Sequence, residues 1–354
     1  MKRIWSTVGV VAAGALVLAG CSGGESADAP SETADSTDAK VVNVLAYDSL
    51  ELSDELLARF EEETGFTAEV TQLPSGGELV NQLVLTKDNP LGDMVFGVDN
   101  ITAYRAIQAD VFSSERPEVD ETLLDQGIPE APGLVPFDQG DVCVNIDHEW
   151  FENNDREEPQ TFDDLTQPEN KDLLVAMNPT SSSPGMAFLV ATISNFGDDW
   201  EQYWRDLKDN GVKITKGWSD AFNVDYSAGE GEGERPLMVS YSSSPAYSVN
   251  DEGTASSTGA LLDTCFHQIE YMGVLNGAAN VDGAKAFMEF MLEVPQQEEI
   301  SAANYMHPIN PDAQAPEALI NFGPMADRPH QMDPQTIEEK QQEWLTTWSE
   351  IMGQ

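Results

Sequence analysis

Short apolar runs and amphipathic stretches take turns along residues 41–100. Val41-Val42-Asn43-Val44-Leu45-Ala46 reads as a buried strand, and Leu52, Leu56, Leu57 and Phe60 recur at helical spacing before Gly65 stops the helix. Residues 68–73 repeat the strand pattern and 76–85 the helical one, and 93–98 form a third strand that runs into Asp99-Asn100. This alternation predicts a mostly parallel sheet covered by helices, an α/β architecture in which ligands gather at the carboxyl ends of the strands.

A Pro- and Gly-rich passage over 129–140 precedes an alternating run, 141–146, that predicts a strand crossing into a second unit. There the apolar runs 173–177, 212–215 and 237–241 predict strands, with helices starting near Pro184, Ser219 and Pro245. After a polar loop over 253–259, residues 266–273 predict a strand that returns to the first unit. Residues 284–292 and 334–352 have helical periodicity, the second aiming Ile337, Trp344 and Trp348 at a core. The chain then divides into a first lobe built from 41–142 and 266–354 and a second lobe built from 143–265.

The N-terminal region has a different character. Lys2 and Arg3 precede an apolar run from Val8 to Leu18, too short to span a bilayer, and Leu18-Ala19-Gly20-Cys21 has the form of a lipobox. Residues 1–20 are expected to be a lipoprotein signal peptide. Cys21 then becomes the lipidated N-terminus, and 21–40, rich in Ser, Glu, Asp, Ala and Thr, a disordered tether. The remaining cysteines, Cys143 and Cys265, are an even pair in an exported chain, which favours one disulfide over two free thiols. A formal net charge of −46 repels nucleic acid and anionic lipid, which makes both poor partners and excludes DNA binding, so the membrane is expected to be reached through the lipid anchor only. The acidity reads either as a solvated surface or as a field that attracts cations.

Three turns carry the candidate chemistry. Ser183-Pro184, Ser219 and Ser244-Pro245 each join a strand or loop to an apolar segment, and serine followed by proline suits a helix start whose free N–H groups face a polar ligand. Thr180-Ser181-Ser182-Ser183-Pro184-Gly185 offers more hydroxyls than capping requires, which fits a phosphate or hydroxyl group. Trp218 and Tyr247 adjoin these turns and Tyr47 ends the first strand, so a flat heterocyclic cation could stack among them with Asp48, Asp99 or Asp138 as its carboxylate. His148, His267, His307 and His330 are scattered without metal-ligand spacing.

Taken together, Tyr47-Asp48-Ser49, Gly97-Val98-Asp99-Asn100, Val135-Pro136-Phe137-Asp138, Thr180 to Gly185, Lys216-Gly217-Trp218-Ser219 and Ser240-Tyr241 through Ser244-Pro245-Ala246-Tyr247 resemble the thiamine-binding proteins. These are the extracytoplasmic receptors of thiamine import systems of the ATP-binding-cassette type. The resemblance implies a type II periplasmic binding protein fold, two α/β lobes joined by crossover strands, with the ligand in the cleft between them. It also implies a monomeric lipid-anchored receptor on the outer face of the cell membrane. Such a receptor closes by a hinge on thiamine, thiamine monophosphate or thiamine diphosphate, carries no cofactor, and delivers its cargo to a permease.

Carried over residue by residue, the resemblance sets Tyr47, Trp218 and Tyr247 around the ring system, and Ser182, Ser183 and Gly185 at the phosphate or hydroxyethyl end. Tyr305 stands where family members can have tryptophan. After the second strand, where some relatives have an acidic residue on the ligand, this chain has Leu73-Pro74-Ser75-Gly76-Gly77. Ser75 therefore takes that place, and the charge partner passes to Asp48, Asp99 or Asp138. The rival readings are a thiamine-cleaving enzyme with Cys143 as nucleophile, which a Cys143–Cys265 pair would disarm, and a receptor for a polyamine, ferric ion or oxyanion.

Overall fold

All eight strands expected from the apolar runs form, and two of them run much further than expected. The computed structural model describes residues 40–354 apart from Glu232. The expected signal peptide, Cys21 and the expected tether lie outside the described residues. The strands are β1 (Val41–Tyr47), β2 (Thr67–Leu73), β3 (Met94–Asp99), β4 (Val135–Asp147), β5 (Leu174–Met177), β6 (Lys213–Thr215), β7 (Leu237–Tyr241), β8 (Thr258–Val274) and the short β9 (His307–Pro308). They make one sheet in the order β2-β1-β3-β8-β4-β7-β5-β6, with β9 added beside β4.

Two parallel patches, β2-β1-β3 and β7-β5-β6, flank the long antiparallel pair β4 and β8. The fully buried β3 and β5 are apolar throughout, apart from Asp99 at the end of β3, as parallel strands covered on both faces must be. The passage 129–140, read as a turn-rich boundary, contains the first six residues of β4. Its Gly and Pro sit inside or beside the strand because the β4/β8 ladder is irregular there, shifting register between Pro136 and Asp138.

Helices α1 (Asp54–Thr64), α2 (Gly76–Leu85) and α3 (Ala103–Gln108) cover the first patch. Ser53 caps α1 through Leu56 N at 3.0 Å, and Gly65 ends it with a left-handed φ of 75°. Around the second patch lie α4 (His148–Asn153), α5 (Ser183–Phe196), α6 (Trp200–Asp209) and the single turn α7 (Trp218–Asp220). The chain then returns through α8 (Val281–Met291), α9 (Val294–Asn304) and α10 (Glu317–Phe322) and closes with α11 (Pro334–Met352). Of the three Ser-led helix starts, only α5 is long. Ser219 lies within a three-residue turn and Ser244-Pro245 opens a five-residue 3-10 turn.

The apolar interior falls into parts on either side of the central pair. One holds Phe60, Phe96, Phe137 and Phe287, with Phe60 and Phe287 edge-on at 5.0 Å. The other holds Phe188, Trp204, Trp344 and Trp348. Helix α11 belongs to this second core, where Trp348 meets Trp204 edge-on at 5.6 Å, although its sequence position assigns it to the first lobe. Periodicity located the apolar stripe on α11, but a stripe carries no information about which core will receive it.

Cys143 on β4 and Cys265 on β8 form a disulfide, 122 residues apart in sequence. It closes the point where the ladder jumps from Val142–Phe266 to Val144–Leu261. The two long strands are therefore covalently tied where they pass from one half of the sheet to the other.

Candidate functional site

Because the two parallel patches point their carboxyl ends at one another, the loops after β1, β2, β5, β6 and β7 converge. They enclose a cleft of ≈ 380 Å³ lined by Tyr47, Asp48, Trp218, Phe222, Tyr247 and Tyr305 among others, within the range of about 300–1,000 Å³ usual for small-molecule sites. A recess of ≈ 30 Å³ lies deeper, between Ser75-Gly76 at the start of α2 and Ser182-Ser183-Pro184 at the start of α5.

One wall is aromatic. Trp218 stacks on Phe222 with ring centroids 4.7 Å apart and planes 10° apart, a pairing made possible by the wide helical turn Ala221–Asp225. Its indole N–H donates to Ser240 Oγ at 2.8 Å, which fixes the ring plane. Tyr247 stands edge-on to Phe222 at 5.8 Å and to Tyr305 at 5.8 Å. Tyr305 holds a left-handed backbone, φ 54°, at the end of α9, where glycine is the unstrained choice. Asn304 anchors that end by accepting from Glu51 N at 2.8 Å and donating to Glu51 O at 2.9 Å.

The opposite floor is acidic. Tyr47 donates to Glu270 Oε2 at 2.8 Å, and Gln268 Nε2 donates to Glu270 Oε1 at 3.1 Å. Gly97, at φ 97° on a β3 bulge, makes room for the Tyr47 ring, since a Cβ there would overlap it. Asp138 lies directly across the ladder from Glu270, 2 % exposed, and neither of its oxygens has a hydrogen-bond partner among the described residues. Burial pushes the Asp138 carboxyl well above its usual range, helped by the Glu270 charge, and burial raises Glu270 to about 7. Among the described residues no Lys, Arg or His forms an ion pair with Asp99, Asp138 or Glu270. Asp48, at the mouth, has its carboxyl raised by partial burial and accepts from Ser219 Oγ across the cleft at 2.7 Å.

The structure gathers Tyr47, Asp48, Trp218, Ser219, Tyr247 and Tyr305 around the cleft, and Ser75, Ser182 and Ser183 around the recess. Asp99, Asp138 and Gly185 line neither. Asp99 instead closes the turn ahead of α3, accepting from Ile101 N at 2.9 Å and Thr102 N at 2.7 Å. Asp138 stands behind Glu270, and Gly185 packs its α-carbon against the Met177 carbonyl while its N–H is capped by Ser182 Oγ at 3.3 Å. Ser75 caps α2 through Glu78 N at 3.2 Å and donates to the Ser181 carbonyl, so it joins the two sides of the seam. A Cβ at Gly77 would run into that same Ser181 carbonyl.

Sequence reasoning passed over Glu270, Tyr241, Phe222 and Glu230, all of which line the cleft. Glu270 had one signal, an acid set among apolar residues in the strand Phe266 to Val274, and Phe222 another, its spacing of four from Trp218. Among the described residues no three His, Cys, Asp or Glu side chains gather as metal ligands.

A thiamine-binding periplasmic protein of Salmonella typhimurium is 25% identical over 318 residues, 88% of this chain and 94% of its own. A solved periplasmic thiamin binding protein superposes with a TM-score of 0.77 at 23% identity, covering 89% of this chain and 96% of that one. The ferric binding protein from Campylobacter jejuni superposes with a TM-score of 0.65 at 19% identity, over 88% of this chain and 99% of its own. The fold is the type II periplasmic binding protein fold, two α/β lobes joined by crossover strands, and it serves solutes of different chemistry. A family model for bacterial extracellular solute-binding proteins matches residues 55–326, and the chain belongs to that family.

Proposed function

We infer that this solute receptor binds thiamine. The observation that carries the reading is the pairing of a fixed aromatic wall, Trp218 on Phe222 with Tyr247 and Tyr305, with the facing carboxylates Asp48 and Glu270. A ferric ion asks for a cluster of hard ligands, and an oxyanion for cationic or amide donors without three rings beside them. A flat heterocycle with a permanent positive charge uses both surfaces at once: each ring face in a desolvated site contributes about 2 kcal/mol to a cation. The relatives named for thiamine support the same choice.

The receptor works by closure. The lobes divide within β4 and β8, near 142–143 and 265–266, beside the Cys143–Cys265 disulfide, and Ser75–Ser181 and Ser219–Asp48 latch the two sides over the ligand. The closed monomer presents itself to an ATP-binding-cassette permease, held to the membrane by lipid on Cys21. Thiamine monophosphate or diphosphate extends toward the recess between α2 and α5. No bond in the ligand is cleaved, since Cys143 is engaged in the disulfide and has no free thiolate to attack with.

Calorimetric titration with thiamine, its monophosphate and its diphosphate, on the native protein and Trp218→Ala, tests this. Saturable binding weakened by the substitution is the expected result. Absence of binding to all three overturns the reading, and liberation of free pyrimidine by the protein would make it an enzyme.

A further inference from the structure

The floor of the cleft holds more negative charge than its surroundings can neutralise. Glu270 is 4 % exposed and is faced from every strand packed against it by acids or neutral polar groups: Tyr47 on β1, Asp99 on β3, Asp138 on β4, Tyr241 on β7 and Gln268 on β8. His267, on the same strand as Glu270, is engaged with Asp141 at 2.9 Å and with Gln126 at 3.3 Å. Asp48 adds a further carboxylate from the loop after β1. Two buried carboxyls side by side without a cation cannot both stay ionised, so an internal proton must take the place of the missing positive charge.

We propose that Glu270, with the buried Asp138 opposite it on the ladder and no cation beside it among the described residues, is the group that reads the ligand's positive charge, and that a cationic heterocycle enters the cleft by displacing a proton from Glu270. In the exchange the Glu270 carboxyl becomes a carboxylate beside the cation, the displaced proton goes to solvent, and net charge in the pocket is conserved. This proposal rests on the thiamine reading of the site. Its consequence for specificity is that a neutral ring of the same shape cannot displace the proton and leaves the pair in its ground state. Burial raises the Glu270 carboxyl to about 7, so the exchange falls within the physiological range.

The sign follows from linkage. Below about 7 the free site is protonated and binding must expel that proton; above it the carboxylate is already formed. Thiamine affinity therefore rises about tenfold from pH 6 to pH 8, the value for one proton released across its titration. The thiazolium charge of thiamine is permanent, so it does not contribute to the slope.

Calorimetry of the native protein with thiamine at pH 6 in two buffers of different ionisation enthalpy measures the proton directly. The expected result is a buffer-dependent heat equivalent to about one proton, a tenfold affinity gain by pH 8, and loss of both signals in Glu270→Gln. Thiamine binding with the same heat in both buffers and a flat pH profile overturns the proton exchange and leaves the thiamine reading intact. No binding of thiamine at any pH overturns both.

Discussion

The aromatic wall and the acidic floor face each other across one cleft and are built on opposite terms. On the wall, Trp218, Phe222, Tyr247 and Tyr305 satisfy one another by edge and face contacts, and the indole N–H finds Ser240, so the wall is complete without a ligand. On the floor, Glu270 has donors in Tyr47 and Gln268, but among the described residues Asp138 behind it has none, and no Lys, Arg or His forms an ion pair with either. The wall supplies shape and is stable alone; the floor supplies charge and is costly alone, and the proposed selection of a positive ligand rests on that difference.

Glu270→Gln sharpens this contrast most. The folded carboxyl titrates near 7, above the ordinary 4.5, so the native state holds an extra proton between those values and loses stability as pH rises through them. Thermal unfolding at pH 8 should show the variant more stable than the native protein, by on the order of 3 kcal/mol at most, with the advantage fading toward pH 5. Equal pH dependence of the two proteins would remove the floor from the account. On the wall, Trp218→Ala should cost roughly 30-fold in thiamine affinity, about 2 kcal/mol, measured by titration of the folded variant.

Gly97→Ala attacks the floor's support, because a side chain at φ 97° is strained and would overlap the Tyr47 ring. A loss of about 1–2 kcal/mol in denaturant unfolding is expected, together with weaker thiamine binding. Ser219→Ala removes the hydrogen bond to Asp48 across the cleft, and should raise the thiamine dissociation constant about fivefold, near 1 kcal/mol. Tyr305→Gly has the smallest expected effect on stability, a gain of a few tenths of a kcal/mol from relaxing the left-handed turn, alongside weaker ligand binding.

The same contrast explains what was legible in the chain. Trp218, Tyr247 and Tyr47 were found because large rings beside turns at strand ends are unusual, and local sequence carries that signal. Strand positions were equally local: apolar runs placed all eight strands that were expected, and Gly65 stopped α1 where it should. Glu270 was missed because an acid in an alternating strand looks the same whether it faces water or a buried cleft; only the register of β8 against β3 and β4 decides. Asp99 lies off the cleft for the converse reason. A strand-end carboxylate can face a ligand or close the turn that follows it, and here it accepts from Ile101 N and Thr102 N ahead of α3, a helix that was not foreseen. The destination of α11 was hidden for a similar reason, since its stripe of Trp344 and Trp348 fits either core and the fold places it on Trp204.

A crystal structure of the protein soaked or grown with thiamine tests the central claim most directly. The account predicts the ligand's rings against Trp218 and Tyr247 with the thiazolium turned toward Glu270. Thiamine bound elsewhere, or lying in the cleft with its charged ring directed to solvent and away from Glu270, would contradict it.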